Sequence, residues 1–320
     1  MTLSNWVYYN IRPFIPRRAQ IFLRRTLFKQ KYKRYIDTWP IFRESIKPPA
    51  FWNGWPGEKR FAFILTHDVE TDIGQKRCLE LMNIDQKMGF ISSFNFVPER
   101  YNVSEEIRTT LVDHGFEVGV HDLNHDGKLF KSRDIFMVKA QRINRYLKSW
   151  GSVGFRSGAM HHHLDWIHEL DIEYDASTFD IDPFEPQPDG VGTIFPFWVT
   201  RDDSLDGYVE LPYSLPQDFT LFVLLQEKNI NIWKKKLDWI ASNGGMALLI
   251  THPDYMSFQK TKENQFEIYP VEYYRELLRY VHDKYAGEYW NDVPKNVARY
   301  VRNMCVIKNQ PGTEDGSFGK

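Results

Sequence analysis

Residues 61–70 read FAFILTHDVE, an unbroken apolar run that ends in a cluster of polar, titratable side chains. A short continuous apolar run suits a strand covered on both faces, as strands of a parallel sheet are. If the chain stays extended through Thr66-His67-Asp68-Val69-Glu70, Asp68 and Glu70 point to one side, and His67 and Val69 to the other. Two carboxylates on one face repel, and the usual compensations are a cation or a retained proton. The plainer alternative is a helix start at Thr71-Asp72, with a surface acid beside it.

Moving outward, the same kind of run recurs as ISSFNFV (91–97), FEVGV (116–120), VGF (153–155), IEY (172–174), GYVEL (207–211) and MALLI (246–250). Helix-patterned segments over 75–88, 105–113, 131–150 and 231–243 separate several of them. Apolar strands alternating with helices predict an α/β fold with a parallel sheet, either a (β/α) barrel or a doubly wound sheet. Residues 181–216, rich in Pro and Gly, predict an excursion with local antiparallel pairing, and 309–320 (NQPGTEDGSFGK) read as a disordered tail.

The chemically capable residues fall at the C-terminal ends of these runs, where parallel α/β folds build their sites. Asp68 and Glu70 follow the first run, His121 and His125 the FEVGV run, Arg156 the VGF run, Asp175 the IEY run, and His252 the MALLI run. One polar strand end means little, whereas five carrying these residue types describe a converging site. On one turn of helix, a His-x3-His spacing puts both imidazoles on one face, as a metal site requires. Two histidines from 121–125 with a carboxylate from 68–70 make a three-ligand set that leaves a position for water.

The chain as a whole is compatible with this. Its 320 residues allow a sizeable core, and a net charge of −1 gives no global pull toward nucleic acid. Aromatic residues make up 16%, as sugar platforms or as core filler. The two cysteines form no framework, no apolar run is long enough to span a membrane, and no secretory leader is evident, so a cytoplasmic protein is expected. Residues 1–50 differ from the rest as a basic extension. Within residues 1–40, Arg12, Arg17, Arg18, Arg24, Arg25, Lys29, Lys31, Lys33 and Arg34 stand against Asp37 alone, interleaved with aromatics, and a basic amphipathic helix is expected over residues 19–35. Such a helix either lies on an anionic membrane at the inner face, through residues 1–40, or packs on the main domain (51–308) by its aromatic face with its basic face in water.

The residues at the strand ends, in this order, resemble the polysaccharide deacetylase family, the fourth carbohydrate-esterase family, over residues 60–255. The resemblance implies a distorted (β/α) barrel with fewer than eight parallel strands. THDVE stands where most members have TFDDG, and Val69 cannot bind metal, so the Asp-x-Asp form of some branches is the better match. By that pattern Asp68 is the catalytic base and Glu70 the metal ligand, with the reverse assignment still open. His121-Asp122-Leu123-Asn124-His125 is similar to the family's H-[ST]-x-x-H motif and implies His121 and His125 as the other ligands. Phe155-Arg156-Ser157-Gly158 keeps the motif Arg that holds the catalytic Asp but lacks the usual Pro. Tyr174-Asp175-Ala176-Ser177 resembles the fourth motif, and LLITHPD implies His252 as general acid.

The implied function is hydrolysis of an N-acetyl group from a sugar in a glycan precursor, with one divalent ion, zinc by default and cobalt, nickel or manganese as substitutes. A backbone N–H near 174–177 is expected to assist at the oxyanion, and Tyr174, Asp175, Ser177, His161 and Tyr213 to contact substrate. His161-His162-His163 is a poor metal cluster, because consecutive side chains diverge. Rival readings are a C–N hydrolase of the same scaffold acting on a small non-sugar amide or cyclic imide, and a silent glycan-binding relative.

Overall fold

The computed structural model describes residues 15–201, 206–259 and 266–308; the expected tail and residues 1–14 of the basic extension lie outside the described residues. Strand β1 (Phe61–Val69) is buried along its whole length, because β2 (Ser92–Phe96) pairs with it on one side and β8 (Met246–Thr251) on the other. Phe61, Phe63, Leu65 and Val69 pack toward the surrounding helices, while Ala62, Ile64, Thr66 and Asp68 alternate to the opposite face. His67 takes the helix side. Its ring bonds Thr251 Oγ1 at 2.7 Å and Asp85 at 3.0 Å, so it braces β1 rather than joining a site.

The parallel pairing continues through β3 (Glu117–His121), β4 (Gly154–Arg156), β5 (Tyr174–Asp175) and β7 (Gly207–Glu210). The strand order β8-β1-β2-β3-β4-β5-β7 curls until a single parallel bridge, Leu215 to Leu249, ties the segment after β7 back to β8, while Phe179 to Tyr213 bridges the segments after β5 and β7. The fold is a distorted (β/α) barrel with these seven parallel strands. β6 (Phe197–Thr200) pairs antiparallel with β7, within the Pro/Gly-rich excursion. Three short strands complete the set: β9 (Met256–Ser257) pairs with β10 (Tyr269–Pro270), and β11 (Tyr289–Trp290) with the start of β1.

The crossover helices start where the sequence offers a hydroxyl cap. Helices α2 (Asp72–Lys87), α3 (Glu105–Asp113) and α4 (Arg133–Trp150) are capped by Thr71, Ser104 and Ser132, whose side chains accept from backbone N–H groups of the first turn. Thr71 thus caps a helix while Asp68 and Glu70 still share a face, so the two readings of that segment coexist. Helices α5 (Leu164–Ile167), α6 (Asn231–Ser242), α7 (Glu272–Lys284) and α8 (Pro294–Lys308) complete the outer layer.

The basic segment forms α1 (Arg17–Tyr35), packed on the barrel, but its faces are not disposed as expected. Phe28 stacks on Phe184 at 5.2 Å, while Arg25 donates to the Val223 carbonyl and Lys29 to Gln226. Several cations therefore turn toward the protein, and Phe22, Leu23 and Leu27 are 64%, 52% and 62% exposed. The barrel offers carbonyls and aromatic faces that satisfy guanidinium groups better than apolar side chains could. Among the described residues no helix is long and apolar enough to cross a membrane.

Candidate functional site

At the C-terminal mouth of the barrel lies a cavity of about 800 Å³. Asp68, Glu70, His121, His125 and His252 line its barrel side, and residues of α1 form the opposing wall. Asp68 comes from the end of β1. Its Oδ1 accepts from Arg156 Nη1 and from Asn95 Nδ2, both at 2.9 Å. Asn95 needs room to do this, and a Cβ on Gly119 of the next strand would lie 2.1 Å from its Oδ1. Arg156 also donates to Thr66 Oγ1 and to the Ala176 carbonyl, so two contacts on β1 and one just past β5 fix the guanidinium. Burial pushes the Asp68 carboxyl up, but Arg156, His121 and His252 outweigh it and hold it at about 2. Asp68 is thus a carboxylate with one oxygen immobilised and Oδ2 turned toward His121, 3.9 Å from its Nε2.

Glu70 stands one residue beyond β1, held by its own N–H donating to Asp254. Its Oε2 accepts from the Tyr255 hydroxyl at 3.0 Å, leaving Oε1 3.2 Å from His125 Nε2. Burial acts upward on this carboxyl too, and His125, His252 and Arg100 together hold it well below the ordinary range.

The histidine pair is not on a helix, contrary to the spacing argument. His121 ends β3, and Asp122 (φ 55°) and His125 (φ 54°) adopt left-handed backbone that no α-helix contains. The short loop still brings the rings together, with centroids 4.9 Å apart. Gly158 makes space for it, since a Cβ there would lie 2.5 Å from Asp122 and 3.0 Å from the His125 ring. His121 Nδ1 donates to the Arg156 carbonyl at 3.1 Å, which fixes the tautomer and leaves Nε2 as a bare acceptor. That buried Nε2 has no hydrogen-bond partner. One ligand atom each from Glu70, His121 and His125 lie within 4.8 Å of one another. An orphaned imidazole nitrogen, a second imidazole and a carboxylate form the donor set a zinc-like dication takes, so the residues fit a metal ion. The proton shared by His125 and Glu70 would be displaced on binding.

His252, one residue past β8, has a partner that strand-end reasoning missed. Its Nδ1 lies 2.6 Å from Asp218, which also accepts from the His252 N–H and from the Tyr269 hydroxyl. Burial pushes the imidazole down, but Asp218, followed by Glu70 and Asp68, raises it to about 10. A dication on Glu70 would draw that value back toward neutrality. The Pro216-Gln217-Asp218 step before the apolar run FTLFVLL was the available signal for an N-cap, which Asp218 is: it accepts from the Phe219 N–H at the head of a π-helical segment (Phe219–Leu225).

Tyr174, Asp175, Ser177 and Tyr213 are not brought to this cavity. The Tyr174 hydroxyl donates to Glu117, at the opposite end of β3 from His121. Asp175 is bonded by Ser177, and the Tyr213 hydroxyl donates to Glu185 at 2.7 Å with Asp182 on its other side at 3.0 Å. The amides expected to serve an oxyanion are already committed, Tyr174 to Val153, Ala176 to Phe155 and Ser177 to Asp175. Ser157 does line the cavity, and its buried Oγ has no partner. His161 lines a neighbouring cavity with His162 and His163, away from the ligand set.

No family model matches the chain, and no curated protein matches it in sequence. Solved structures match its fold. A Mycobacterium smegmatis protein assigned as a polysaccharide deacetylase is 18% identical, with a TM-score of 0.59, covering 81% of this chain and 96% of that one. A Pseudomonas aeruginosa PAO1 protein with the same assignment is 13% identical, with a TM-score of 0.60 over 80% and 95%. PuuE allantoinase is also 13% identical, with a TM-score of 0.56 over 82% and 97%.

Proposed function

We propose that the chain is a metal-dependent sugar N-deacetylase of the polysaccharide deacetylase family. The observation that carries this reading is the pairing of a three-donor metal set with a separately held base, Asp68, and a separately held acid, His252. Glu70, His121 and His125 would hold the ion, zinc by default, which when bound acidifies water and polarises an acyl oxygen. Asp68 takes the proton from the attacking water at Oδ2, because Oδ1 is tied to Arg156 and Asn95. His252 delivers a proton from Nε2 to the departing amine nitrogen, with Asp218 keeping Nδ1 protonated and the ring in place. Tyr255 and Arg100 keep Glu70 ionised and turned inward. Ser157 is available to bond a substrate hydroxyl or carbonyl.

The rival C–N hydrolase reading draws on the fold shared with an allantoinase. A cavity of about 800 Å³ is at the large end for a small heterocycle and comfortable for a glycoside. Release of acetate from a panel of N-acetylhexosamine derivatives, run beside allantoin and simple cyclic imides with the metal-loaded protein, tests the assignment. Turnover of the imides alone, or of nothing, would overturn it.

A further inference from the structure

The wall opposite the metal set belongs to α1, and its chemistry is unusual for a cavity that takes neutral sugar. Arg17, Arg24 and Lys31 recur every seven residues, which returns each to within about 20° of the last on a helix. With Arg34, one turn beyond Lys31, all four line the cavity. Arg17 is held by Glu267 at 2.8 Å. Arg24 lies over the Phe219 ring at 4.9 Å, Phe219 packs on Tyr255 at 4.7 Å, and Tyr255 bonds Glu70. This contact chain runs from the cationic wall to the metal set. Among the described residues Lys31 and Arg34 form no ion pair. Glu185, whose charge acts on Lys31 together with that of Asp182, also lines the cavity, and its Oε1 accepts from Tyr213 and Gln217. Burial and the neighbouring Asp182 push its carboxyl up to about 8, so it does little to neutralise the wall.

We propose that the substrate carries a phosphoryl group, bound by Arg24, Lys31 and Arg34, beside the sugar whose acyl group is removed. Lys31 and Arg34 alone supply the two positive charges that a phosphate monoester matches. Which end of the ligand reacts rests on the deacetylase reading above; the anion site itself does not. The phosphate can come from a soluble sugar phosphate or from a lipid headgroup, and Leu27, on the cavity wall yet exposed, with Phe22 and Leu23 beside it, would meet the lipid chain in the second case.

Calorimetric binding of N-acetylglucosamine, its 1-phosphate and the decyl ester of that phosphate tests the proposal, with and without added zinc. The phosphorylated sugar should bind at least about tenfold tighter than the neutral one. Lys31→Gln with Arg34→Gln, or Arg34→Gln alone should the pair fail to fold, should erase most of that preference. Lys33→Gln, which removes one charge off the cavity wall, should keep it. Equal binding of neutral and phosphorylated sugar, or equal loss in Lys33→Gln, overturns the proposal. Tighter binding of the decyl ester assigns the anion to a lipid headgroup and equal binding to a soluble phosphate, both in support. Acyl release measured in parallel separates the two readings. Phosphate-dependent binding with no acyl product removes the deacetylase and keeps the anion site, and release without phosphate preference does the reverse.

Discussion

Two groups of buried carboxyls near the mouth of the barrel have the same composition and opposite character. Asp68 and Glu70 are held ionised, Asp68 at about 2, although burial opposes this in both. Asp182 and Glu185, equally buried, are pushed up to about 7 and about 8, and Asp175 and Glu210 are raised as well. The difference lies in what faces them. Arg156 and a set of histidines converge on the first group, whereas hydroxyls of Tyr213, Ser177 and Thr178 serve the second. Hydroxyls satisfy a protonated carboxyl as well as an ionised one, so the second group can keep protons and hold loops together. A cation satisfies only the ionised form, so the first group is kept ready to take a proton or a metal.

Removing the cation from the first group should break the contrast most violently. Arg156→Met leaves Asp68 buried without its partner and should cost about 3 kcal/mol or more in stability, read by denaturant unfolding. It should also move the acid limb of the pH–rate profile upward, since Asp68 then holds its proton to higher pH. A variant as stable as the parent, with an unmoved acid limb, would mean the pair is incidental. Next in size is Asp218→Asn, which should lower kcat about 10- to 100-fold. Asp218 raises the His252 pKa, so its loss should shift the alkaline limb to lower pH; an unchanged limb would assign the acid role elsewhere. Smallest is Glu185→Gln. Its folded-state pKa lies above the unfolded value, so the stability it lends is full below about pH 4.5 and falls as pH rises toward 8. The variant, which keeps an oxygen for Tyr213, should flatten that decline between pH 5.5 and 8. Parallel stability curves would show that the second group is not protonated.

The sequence carried the barrel because its strands are apolar on both faces and its helices begin at Thr71, Ser104 and Ser132, signals that do not depend on distant partners. Strand ends carrying Asp68, Glu70, His121, His125, Arg156 and His252 were visible for the same reason. What stayed hidden was set by contacts across the fold. Asp218 sits 34 residues before His252 in the chain and meets it only through the curl of the sheet. Asn95 was an unremarked polar residue in ISSFNFV until Gly119 gave it room. Tyr174 and Tyr213 lie at strand ends like the site residues but point away, because a strand end alone does not say which side of the pleat faces the cavity. The faces of α1 were misjudged because its cations found carbonyls, aromatic rings and a cavity to fill.

The central claim is that Glu70 holds a metal while Asp68, two residues earlier, holds none and moves a proton. Metal content by elemental analysis and single-turnover rates, measured together on Glu70→Gln and Asp68→Asn, test it most directly. The parent should hold about one divalent ion per chain. Glu70→Gln should lose both the ion and activity, whereas Asp68→Asn should keep the ion and fold and lose about 100-fold or more in rate. A metal-replete Glu70→Gln beside a folded, metal-free Asp68→Asn would contradict the account.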